Sequence, residues 1–344
     1  MKKYLLILLV LVLVLSMAAC ASPQPAVQPP AQPAGDAPAA AGDAPPAAAD
    51  DREFTVVFMP KSLDNVVYNG LRDSVLERGP QIGINVEWTG PVTSNSVEQV
   101  NMIETLIERG VDAIAVAVDD ASMVEDVFRR AREAGIIVAT FDSDAENSAR
   151  QFYVGTDNVE LGRIAGQQML RFLSEGDEVA IMIATPGMVN IQERVDGFVE
   201  VTEPAGITVR AIIDCDTNTA IAVDRANQFV AANPDLDGFF FTHGLTHYAS
   251  PAALAEYMQW RSAGGVSVAI DAVYPMFAFF HGDEADFVLI DQAWDEMGVR
   301  TLDIIAQMLR GEDPGLPSDN IVHTGTFVID RSNWRDIYAT LDPW

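Results

Sequence analysis

Polar side chains that could hold a small hydroxylated molecule follow several short apolar runs in this 344-residue chain. Each of these runs has the length and composition of a buried strand. In open parallel sheets, ligands bind beyond the carboxyl ends of the strands, so the residues at these ends form a candidate binding site. The positions are Lys61, Asn65, Asp142, residues 185–192, His243, Asp271 and Gln292.

Two aspartates, Asp142 and Asp271, directly follow an apolar run. A carboxylate oxygen can accept hydrogen bonds from two hydroxyl groups, and such charge-assisted bonds are strong, so both residues are candidates for binding a sugar or polyol. An aspartate after a strand can also be the N-cap of the next helix, which leaves two interpretations for each residue. The same two interpretations are open for Asn190, which precedes a helical pattern.

Lys61 is the only lysine after Lys3. Its compact ammonium group has three donors and could contact ligand oxygens where a planar guanidinium would not fit, although a loop lysine can also be simply solvated. Tyr68, Trp294 and Phe141 could stack on a sugar ring, with core packing as the alternative, and Tyr68 is the one that we expect to do so. Arg194 is predicted to make a structural pairing near its helix.

His243 and His247 are four residues apart, a spacing that can place two imidazoles on one helix face. The sequence shows no third ligand beside them, so no metal site is predicted and His243 is expected to contact the ligand instead. Residues 60–65 lack the glycine fingerprint of a dinucleotide-binding enzyme, and neither a phosphate-binding loop nor a nucleophile elbow occurs. The sequence therefore predicts a protein that is not an enzyme and uses no cofactor.

Strand-like and helical patterns alternate from residue 54 onward, in two blocks. This alternation predicts an α/β fold of two doubly wound parallel-sheet domains, because the crossover helices cover both faces of each sheet. The predicted strands are 54–58, 84–88, 113–118, 136–141, 178–184, 207–214, 238–241, 266–270 and 287–290. The predicted helices are 65–78, 96–109, 121–134, 191–202, 220–232, 252–261, 275–281 and 296–310.

The N-terminus has the pattern of a secretory signal peptide, with Lys2 and Lys3 before an apolar run at residues 5–15. This run is shorter than the roughly 20 apolar residues of an ordinary membrane span. Met17-Ala18-Ala19-Cys20 looks like the lipobox of bacterial lipoproteins, which implies a signal peptide of residues 1–19 and acylation of Cys20; ordinary cleavage nearby is the alternative. Residues 20–52 are rich in Ala and Pro and are predicted to be a flexible tether.

The formal net charge of −29 argues against nucleic acid as a partner, because phosphate binding needs a basic face. If Cys20 carries lipid, Cys215 is the only other cysteine and no intramolecular disulfide can form. A sugar-responsive transcriptional regulator would need a helix-turn-helix ahead of the core, where this chain has the predicted signal peptide and tether.

The chain resembles the ribose-type periplasmic binding proteins of ABC transporters over about residues 54–328. The stretches that carry this resemblance are residues 60–65, 140–144, 154–158 with 161–162, 190–198, 271 and 290–298. It implies two lobes joined by a three-stranded hinge, with the chain crossing near Thr156, Gln292 and Val322. The N-terminal lobe would comprise residues 53–156 plus 293–322, and the C-terminal lobe residues 157–292 plus 323–344.

The resemblance implies a monomeric, extracytoplasmic lipoprotein, anchored in the periplasm or on the outer face of the cytoplasmic membrane. It would capture a small neutral sugar or polyol between its lobes and deliver it to an ABC transporter permease. The ligand contacts that the resemblance implies are Lys61, Asn65, Asp142, Asn190, Gln192, Asp271 and Gln292.

The sequence differs from the ribose-binding pattern in ways that leave the sugar open. Only Tyr68 follows Asn65 where those proteins have paired aromatics, and Gln192 stands where they have an arginine. Residues 242–248 lack their usual asparagine–aspartate pair. Lys61 and the run 142–144 are similar to the autoinducer-2 and rhamnose-type relatives. The alternative is therefore a receptor for autoinducer-2 or another small polar ligand that feeds a membrane sensor.

Overall fold

The computed structural model describes residues 53–280 and 286–340. The predicted signal peptide, the tether up to residue 52 and the lipidation site Cys20 lie outside the described residues, as does the last residue of the predicted helix 275–281. The described chain forms two six-stranded sheets, each packed between helices. The predicted α/β fold with two doubly wound lobes is confirmed.

The first lobe is built on a fully parallel sheet. Its strands are β1 (Phe54–Met59), β2 (Ile84–Trp88), β3 (Ala113–Val116), β4 (Ile137–Phe141), β5 (Phe152–Thr156) and β11 (Ile321–Thr324), in the order β11-β5-β4-β3-β1-β2. The strand order reverses between β1 and β3, which is the position where open α/β sheets bind ligands.

The second lobe repeats this topology. Its strands are β6 (Glu178–Ile183), β7 (Thr208–Asp214), β8 (Gly238–Phe241), β9 (Val266–Ile270), β10 (Phe287–Gln292) and β12 (Thr326–Ile329), in the order β12-β10-β9-β8-β6-β7. Its strands are parallel except that β12 pairs with β10 in the antiparallel direction. In these two strand orders, β9 is the third strand of the second sheet, as β4 is the third strand of the first.

The helices agree with the periodic patterns where those patterns are long. They are α1 (Asn69–Gln81), α2 (Ser96–Arg109), α3 (Ala121–Glu133), α4 (Asn158–Met169), α5 (Val189–Thr202), α6 (Thr219–Ala232), α7 (Ala255–Ser262), α8 (Trp294–Leu309) and α9 (Trp334–Tyr338). The start of the predicted helix 65–78 and most of 275–281 are 3₁₀ helices, at Val66–Tyr68 and Tyr274–Phe280.

Five elements were not predicted from the sequence: β5, β11, β12, α4 and α9. The last two strands have only four residues each, and α9 has five, so they carry too little pattern to be read. The helix α4 contains Gly162 and Gly166, which weaken helix propensity. Both glycines have a packing reason, because a β-carbon on Gly162 would lie 2.2 Å from the carbonyl oxygen of Arg194 on α5.

The chain passes between the lobes three times, as the hinge prediction requires. The first crossover runs from β5 of the first sheet to α4, which packs on α5 of the second lobe. The second runs from β10 of the second sheet to α8, which packs on α1 of the first lobe. The third runs from β11 to β12 at Gly325. The Ala293 N–H donates to the Gly325 carbonyl at 3.1 Å, which ties two crossovers together. The residue boundaries of the lobes stay a prediction.

Both faces of each sheet are buried. Along β1, Val56 and Phe58 belong to one apolar cluster and Val57 and Met59 to another, so helices cover the sheet on both sides. The helices of residues 53–280 and 286–340 are all too short or too polar to cross a bilayer.

Candidate functional site

A cavity lies between the two lobes, at the carboxyl ends of strands from both sheets. It contains about 500 Å³ of empty volume, part of which is open to solvent. Eight of the nine predicted ligand-binding residues line it: Lys61, Asn65, Tyr68, Asp142, Asn190, His243, Asp271 and Gln292. The structure therefore brings both strand edges to one place, while contact of these residues with a ligand stays a prediction.

Gln192 is the exception, and its predicted role needs correction. Its side chain is exposed on α5 and donates a hydrogen bond to the Asp196 carboxylate at 2.8 Å, outside the cavity. Two residues along a helix correspond to a rotation of about 200°, so a helix that points Asn190 into the cavity points Gln192 away from it. Arg194, one turn after Asn190, lines the cavity instead.

Lys61 and Asn190 connect the two lobes across the cavity. The Lys61 ammonium donates to Asn190 Oδ1 at 3.1 Å and lies 3.9 Å from Asp142 Oδ2. The lysine is only 8% exposed, which excludes the interpretation that it is a solvated loop cation. Burial lowers the pKa of Lys61, and the Asp142 carboxylate opposes this shift. An ammonium group has three N–H donors, and the hydrogen bond to Asn190 uses one of them. The others could donate to a ligand in the cavity that Lys61 lines.

Asn190 lies in the first turn of α5 rather than at its N-cap, which is Met188. Its Oδ1 also accepts from the Ile191 N–H at 3.1 Å. The helix starts two residues earlier than predicted, and this shift moves the asparagine from a capping position to the wall of the cavity.

The two strand-end aspartates have the same unusual backbone conformation. The φ angle is 59° at Asp142 and 77° at Asp271, so both residues are in the left-handed region that non-glycine residues seldom adopt. Neither is the N-cap of a described helix, whereas Asp120 and Asp157 are. The helix-cap interpretation is therefore wrong for both. Such backbone strain persists where the surrounding structure enforces it, often at ligand sites.

The carboxylate of Asp142 is held by its own lobe. The Tyr68 hydroxyl donates to its Oδ2 at 2.8 Å, and Tyr68 packs edge-on against Phe141 and Trp294. Burial, together with the Asp142 charge, raises the pKa of Tyr68 well above its usual value. The tyrosine therefore stays a hydroxyl donor that positions Asp142, in addition to lining the cavity.

The carboxylate of Asp271 is held by hydrogen-bond donors. Its Oδ1 accepts from Gln292 Nε2 at 2.9 Å and its Oδ2 from the Gly244 N–H at 3.0 Å. Burial raises the pKa of Asp271, and the Arg194 charge opposes that shift. Hydroxyl groups of a ligand would supply further donors to this buried acid.

A hydrogen-bond network joins Asp271 to the hinge. Gln292 Oε1 accepts from the Thr156 hydroxyl at 2.9 Å and from Arg194 at 3.1 Å. Arg194 also donates to Asn158 Oδ1 at 2.9 Å and to the Thr242 carbonyl at 2.8 Å. The arginine makes the predicted structural pairing and lines the cavity as well. Two crossovers, at Thr156 and at Gln292, are thus linked to the cavity wall.

His243 lines the cavity as a neutral ring. Its Nδ1 accepts from the Leu245 N–H at 3.2 Å, so the proton lies on Nε2, which is 3.5 Å from the Cys215 sulfur. Burial lowers the pKa of His243 to about 4. Both ring nitrogens have protein neighbours.

His247 does not share this site. It lies in the core of the second lobe, where its Nε2 is 3.0 Å from the Tyr257 hydroxyl and Phe241 and Phe279 pack edge-on against its ring. No group of three or more His, Cys, Asp or Glu side chains among the described residues is arranged to hold a metal ion.

Ten further residues line the cavity besides the eight named above. Two of them, Tyr248 and Trp294, are aromatic and come five and two residues after His243 and Gln292. The strand-end rule does not assign these two side chains, because Tyr248 lies in a 3₁₀ helix and Trp294 is the first residue of α8. The additional lining residues are Ser62, Val67, Ala184, Met188, Ile191, Arg194, Thr217, Leu245, Tyr248 and Trp294.

The charged side chains around the cavity balance. Lys61 and Arg194 are the cations among the lining residues, and Asp142 and Asp271 are the anions. A charged ligand would leave one of these buried charges uncompensated, which is costly in a low-dielectric site. The cavity therefore suits a neutral ligand with many hydroxyl groups.

A second groove between the lobes has the opposite character. It contains about 1020 Å³ of empty volume, including open solvent, and its acidic and histidine lining residues are Glu125, Asp144, Glu146, Asp157, Glu193 and His323. Asp144 there is paired with Arg150 at 2.7 Å and is not part of the first cavity. The uneven charge makes this groove a poor match for a neutral sugar.

Residues 56–313 match the family described as the periplasmic binding protein domain, and the chain belongs to this family. It is 30% identical over 184 residues to a xylose/arabinose-binding protein of Sulfolobus acidocaldarius, an alignment that covers 50% of this chain and 44% of that protein. It is 26% identical over 245 residues to a D-ribose/D-allose-binding protein of Pseudomonas aeruginosa, which covers 67% and 73%. The chain thus spans less than half the length of the first of these relatives.

The fold is also similar to solved structures. A solute-binding protein of an ABC transporter from Burkholderia graminis, in complex with D-arabinose, has a TM-score of 0.77 and 27% identity, covering 83% of this chain and 98% of that one. The predicted family resemblance is confirmed, and the relatives and the solved structure named here are binding proteins rather than enzymes.

Proposed function

We propose that this protein is an extracytoplasmic solute-binding protein that captures a small neutral sugar or polyol between its lobes and delivers it to an ABC importer. The observation that carries the proposal is the cavity between the lobes, where Lys61 and Asn65 of one lobe face Asp271 and Gln292 of the other. The relatives, which are named for pentose or ribose and allose binding, support a sugar as the ligand.

The same cavity supports a closure mechanism. Lys61 of the first lobe bonds directly to Asn190 of the second, and the Gln292 network reaches two of the three crossovers. A ligand that contacts both lobes favours the arrangement in which the lobes meet. It shifts the equilibrium only by its differential affinity for the two arrangements.

Thermal unfolding of the purified protein against a panel of sugars tests the ligand class. The panel contains D-arabinose, D-ribose, D-xylose, D-allose, deoxysugars, polyols and autoinducer-2. A micromolar ligand at millimolar concentration adds about 4 kcal/mol, which raises the melting temperature by several degrees. A pentose or hexose hit supports the proposal. A panel without any hit, on folded protein shown to be ligand-free, contradicts it.

The autoinducer-2 alternative stays a second prediction. It depended on Lys61 and on the run 142–144, but within that run only Asp142 lines the cavity, since Asp144 is bonded to Thr140 and Arg150. A strain that lacks the gene separates importer from sensor. Loss of uptake of the bound sugar supports the importer, whereas normal uptake with loss of a sugar-dependent transcriptional response supports the sensor.

The lipid anchor is a separate part of the proposal. It is based on Met17-Ala18-Ala19-Cys20 and on the Ala/Pro-rich residues that follow. Mass spectrometry of the mature protein is expected to show an acylated N-terminal Cys20 in the membrane fraction. In a Cys20→Ser variant, the protein is expected to leave that fraction. A mature protein that begins at a residue after Cys20 and carries no lipid would contradict the anchor. It would not bear on the proposal of sugar binding.

A further inference from the structure

Trp294 is the first residue of α8 and directly follows the crossover from the second lobe to the first. It comes two residues after Gln292, the last residue of β10, and Ala293 between them is bonded to Gly325 of the third crossover. The indole is therefore attached to the hinge while it lines the cavity.

The indole is held by the aromatic residues of the first lobe. Its ring is 5.5 Å from that of Tyr68, in an edge-on arrangement with an interplanar angle of 80°. Trp294 also packs against the apolar cluster that contains Phe141 and Met297. These contacts fix the orientation of the ring and, with it, the direction of its single N–H.

This N–H has no acceptor among the described residues, although the nitrogen atom is buried. A buried donor without a partner costs free energy, and proteins seldom leave one unmatched without a functional reason. Indole nitrogen is a donor only, so its partner must be an acceptor oxygen.

The neighbouring polar groups are already engaged. The Tyr68 hydroxyl donates to Asp142, and the Gln292 side chain bonds to Thr156, Arg194 and Asp271. The Trp294 N–H is thus a buried donor that no described residue satisfies, on a side chain that lines the cavity next to the crossover. Asp142 and Asp271 accept from ligand hydroxyls, so the indole complements them by donating to a ligand oxygen.

We propose that Trp294 is a ligand-binding and specificity-determining residue, whose Nε1–H donates to an oxygen of the bound sugar. This inference rests on the proposed function and names the direction of one hydrogen bond within it. Because the residue follows the crossover directly, a hydrogen bond from this N–H to the ligand also ties the ligand to the hinge.

The test compares wild-type protein with Trp294→Phe, which keeps an aromatic ring and removes the N–H. Trp88→Phe is the matched control, because Trp88 packs on Phe58 in the first lobe and does not line the cavity. Calorimetric titration uses whichever of D-arabinose, D-ribose, D-xylose or D-allose binds wild type most tightly. We expect about tenfold weaker binding for Trp294→Phe and unchanged affinity for Trp88→Phe.

A set of analogues separates the hydrogen bond from packing. It contains each monodeoxy form of that sugar and the form in which a methylene group replaces the ring oxygen. If Nε1 donates to one oxygen, removal of that oxygen weakens binding to wild type but has little further effect on Trp294→Phe. An equal loss in both proteins for every analogue would overturn the proposal, as would Trp294→Phe binding within twofold of wild type.

The outcomes for the two proposals are distinguishable. If none of the four sugars binds wild-type protein, the proposed function fails, and the inference about Trp294 fails with it. If a sugar binds wild type and Trp294→Phe equally well, the proposed function stands and only the role of the indole is overturned.

Discussion

The two lobes have the same strand order, yet they hold equivalent carboxylates in different ways. Asp142 follows β4 and Asp271 follows β9, and both have a positive φ. Asp142 has the Lys61 ammonium 3.9 Å away, whereas no ion pair of Asp271 occurs among the described residues and its oxygens accept from Gly244 and Gln292.

The difference shows that backbone topology places a functional group but does not decide its electrostatics. The charge of Asp142 is offset by a cation from the same lobe. The charge of Asp271 is stabilised by neutral donors, with Arg194 acting at longer range, and burial raises its pKa. We therefore expect the second lobe to depend more on ligand hydroxyls and to respond more to pH.

The largest expected effect comes from removing these carboxylates. Asp142→Ala and Asp271→Ala should each weaken sugar binding by at least about 100-fold, because charge-assisted hydrogen bonds in a buried site are lost. Calorimetric titration measures the affinity, and circular dichroism checks that the variants fold. Asp196→Ala, which changes an exposed aspartate on α5, is the control and should bind normally. Retained affinity in both cavity variants would refute the assignment of the site.

The next effect concerns how each lobe packs its helices. A β-carbon on Gly197 of α5 would lie 2.0 Å from the Val159 carbonyl oxygen, whereas one on Gly298 of α8 would meet the side chains of Leu71 and Val75 at 2.8 and 2.9 Å. Side chains can shift where backbone cannot. Gly197→Ala should lower the free energy of unfolding by at least about 3 kcal/mol and Gly298→Ala by about 1–3 kcal/mol.

Urea unfolding of both glycine variants measures this difference. If Gly298→Ala is the more destabilising of the two, the distinction between backbone and side-chain contact is wrong.

A smaller effect is expected from pH, through Asp291 beside Asp271. Burial, with the nearby Asp271 charge, raises the pKa of Asp291 to about 8. Between the usual carboxyl pKa of about 4 and this value, the folded protein holds a proton that the unfolded chain has lost, so stability falls as pH rises through this window. Asp291→Asn should lessen the loss of stability between pH 5 and pH 9.

Melting temperatures of wild type and Asp291→Asn across this pH range test the effect. Asp319→Asn, in an exposed loop next to β11 of the first lobe, is the control and should follow wild type. Parallel curves for wild type and Asp291→Asn would show that Asp291 titrates normally.

The smallest expected effect is the change in sugar affinity on replacing Gln192, which we compare with the change on replacing Gln292. Gln192→Ala should leave affinity within twofold of wild type, because this side chain lies outside the cavity, whereas Gln292→Ala should weaken binding at least tenfold through loss of its bonds to Asp271 and Arg194. Titration of both variants with the same sugar is the measurement. A large loss for Gln192→Ala would restore the role that the family resemblance implied.

Most of the predicted site depended on one rule, and the one predicted ligand-binding residue that does not line the cavity, Gln192, is instructive. The positions that directly end a strand, such as Asp142, Asp271 and Gln292, all line the cavity, because parallel strands bring their ends to one edge. Gln192 lies outside the cavity because it is on a helix, where a change of one residue rotates a side chain by about 100°. The prediction placed the start of that helix at 191, and the structure begins it at Val189.

The sequence by itself determined the two blocks of alternating strands and helices, and with them the edge of each sheet where ligand groups gather. Local periodicity and apolar runs suffice for this, because they report which face of an element is buried. Only the tertiary structure decided how the two edges face each other: the bond from Lys61 to Asn190, the placement of Arg194 and the N–H of Trp294, which has no acceptor among the described residues. These depend on contacts between residues far apart in the chain, and residue types alone do not specify such distances.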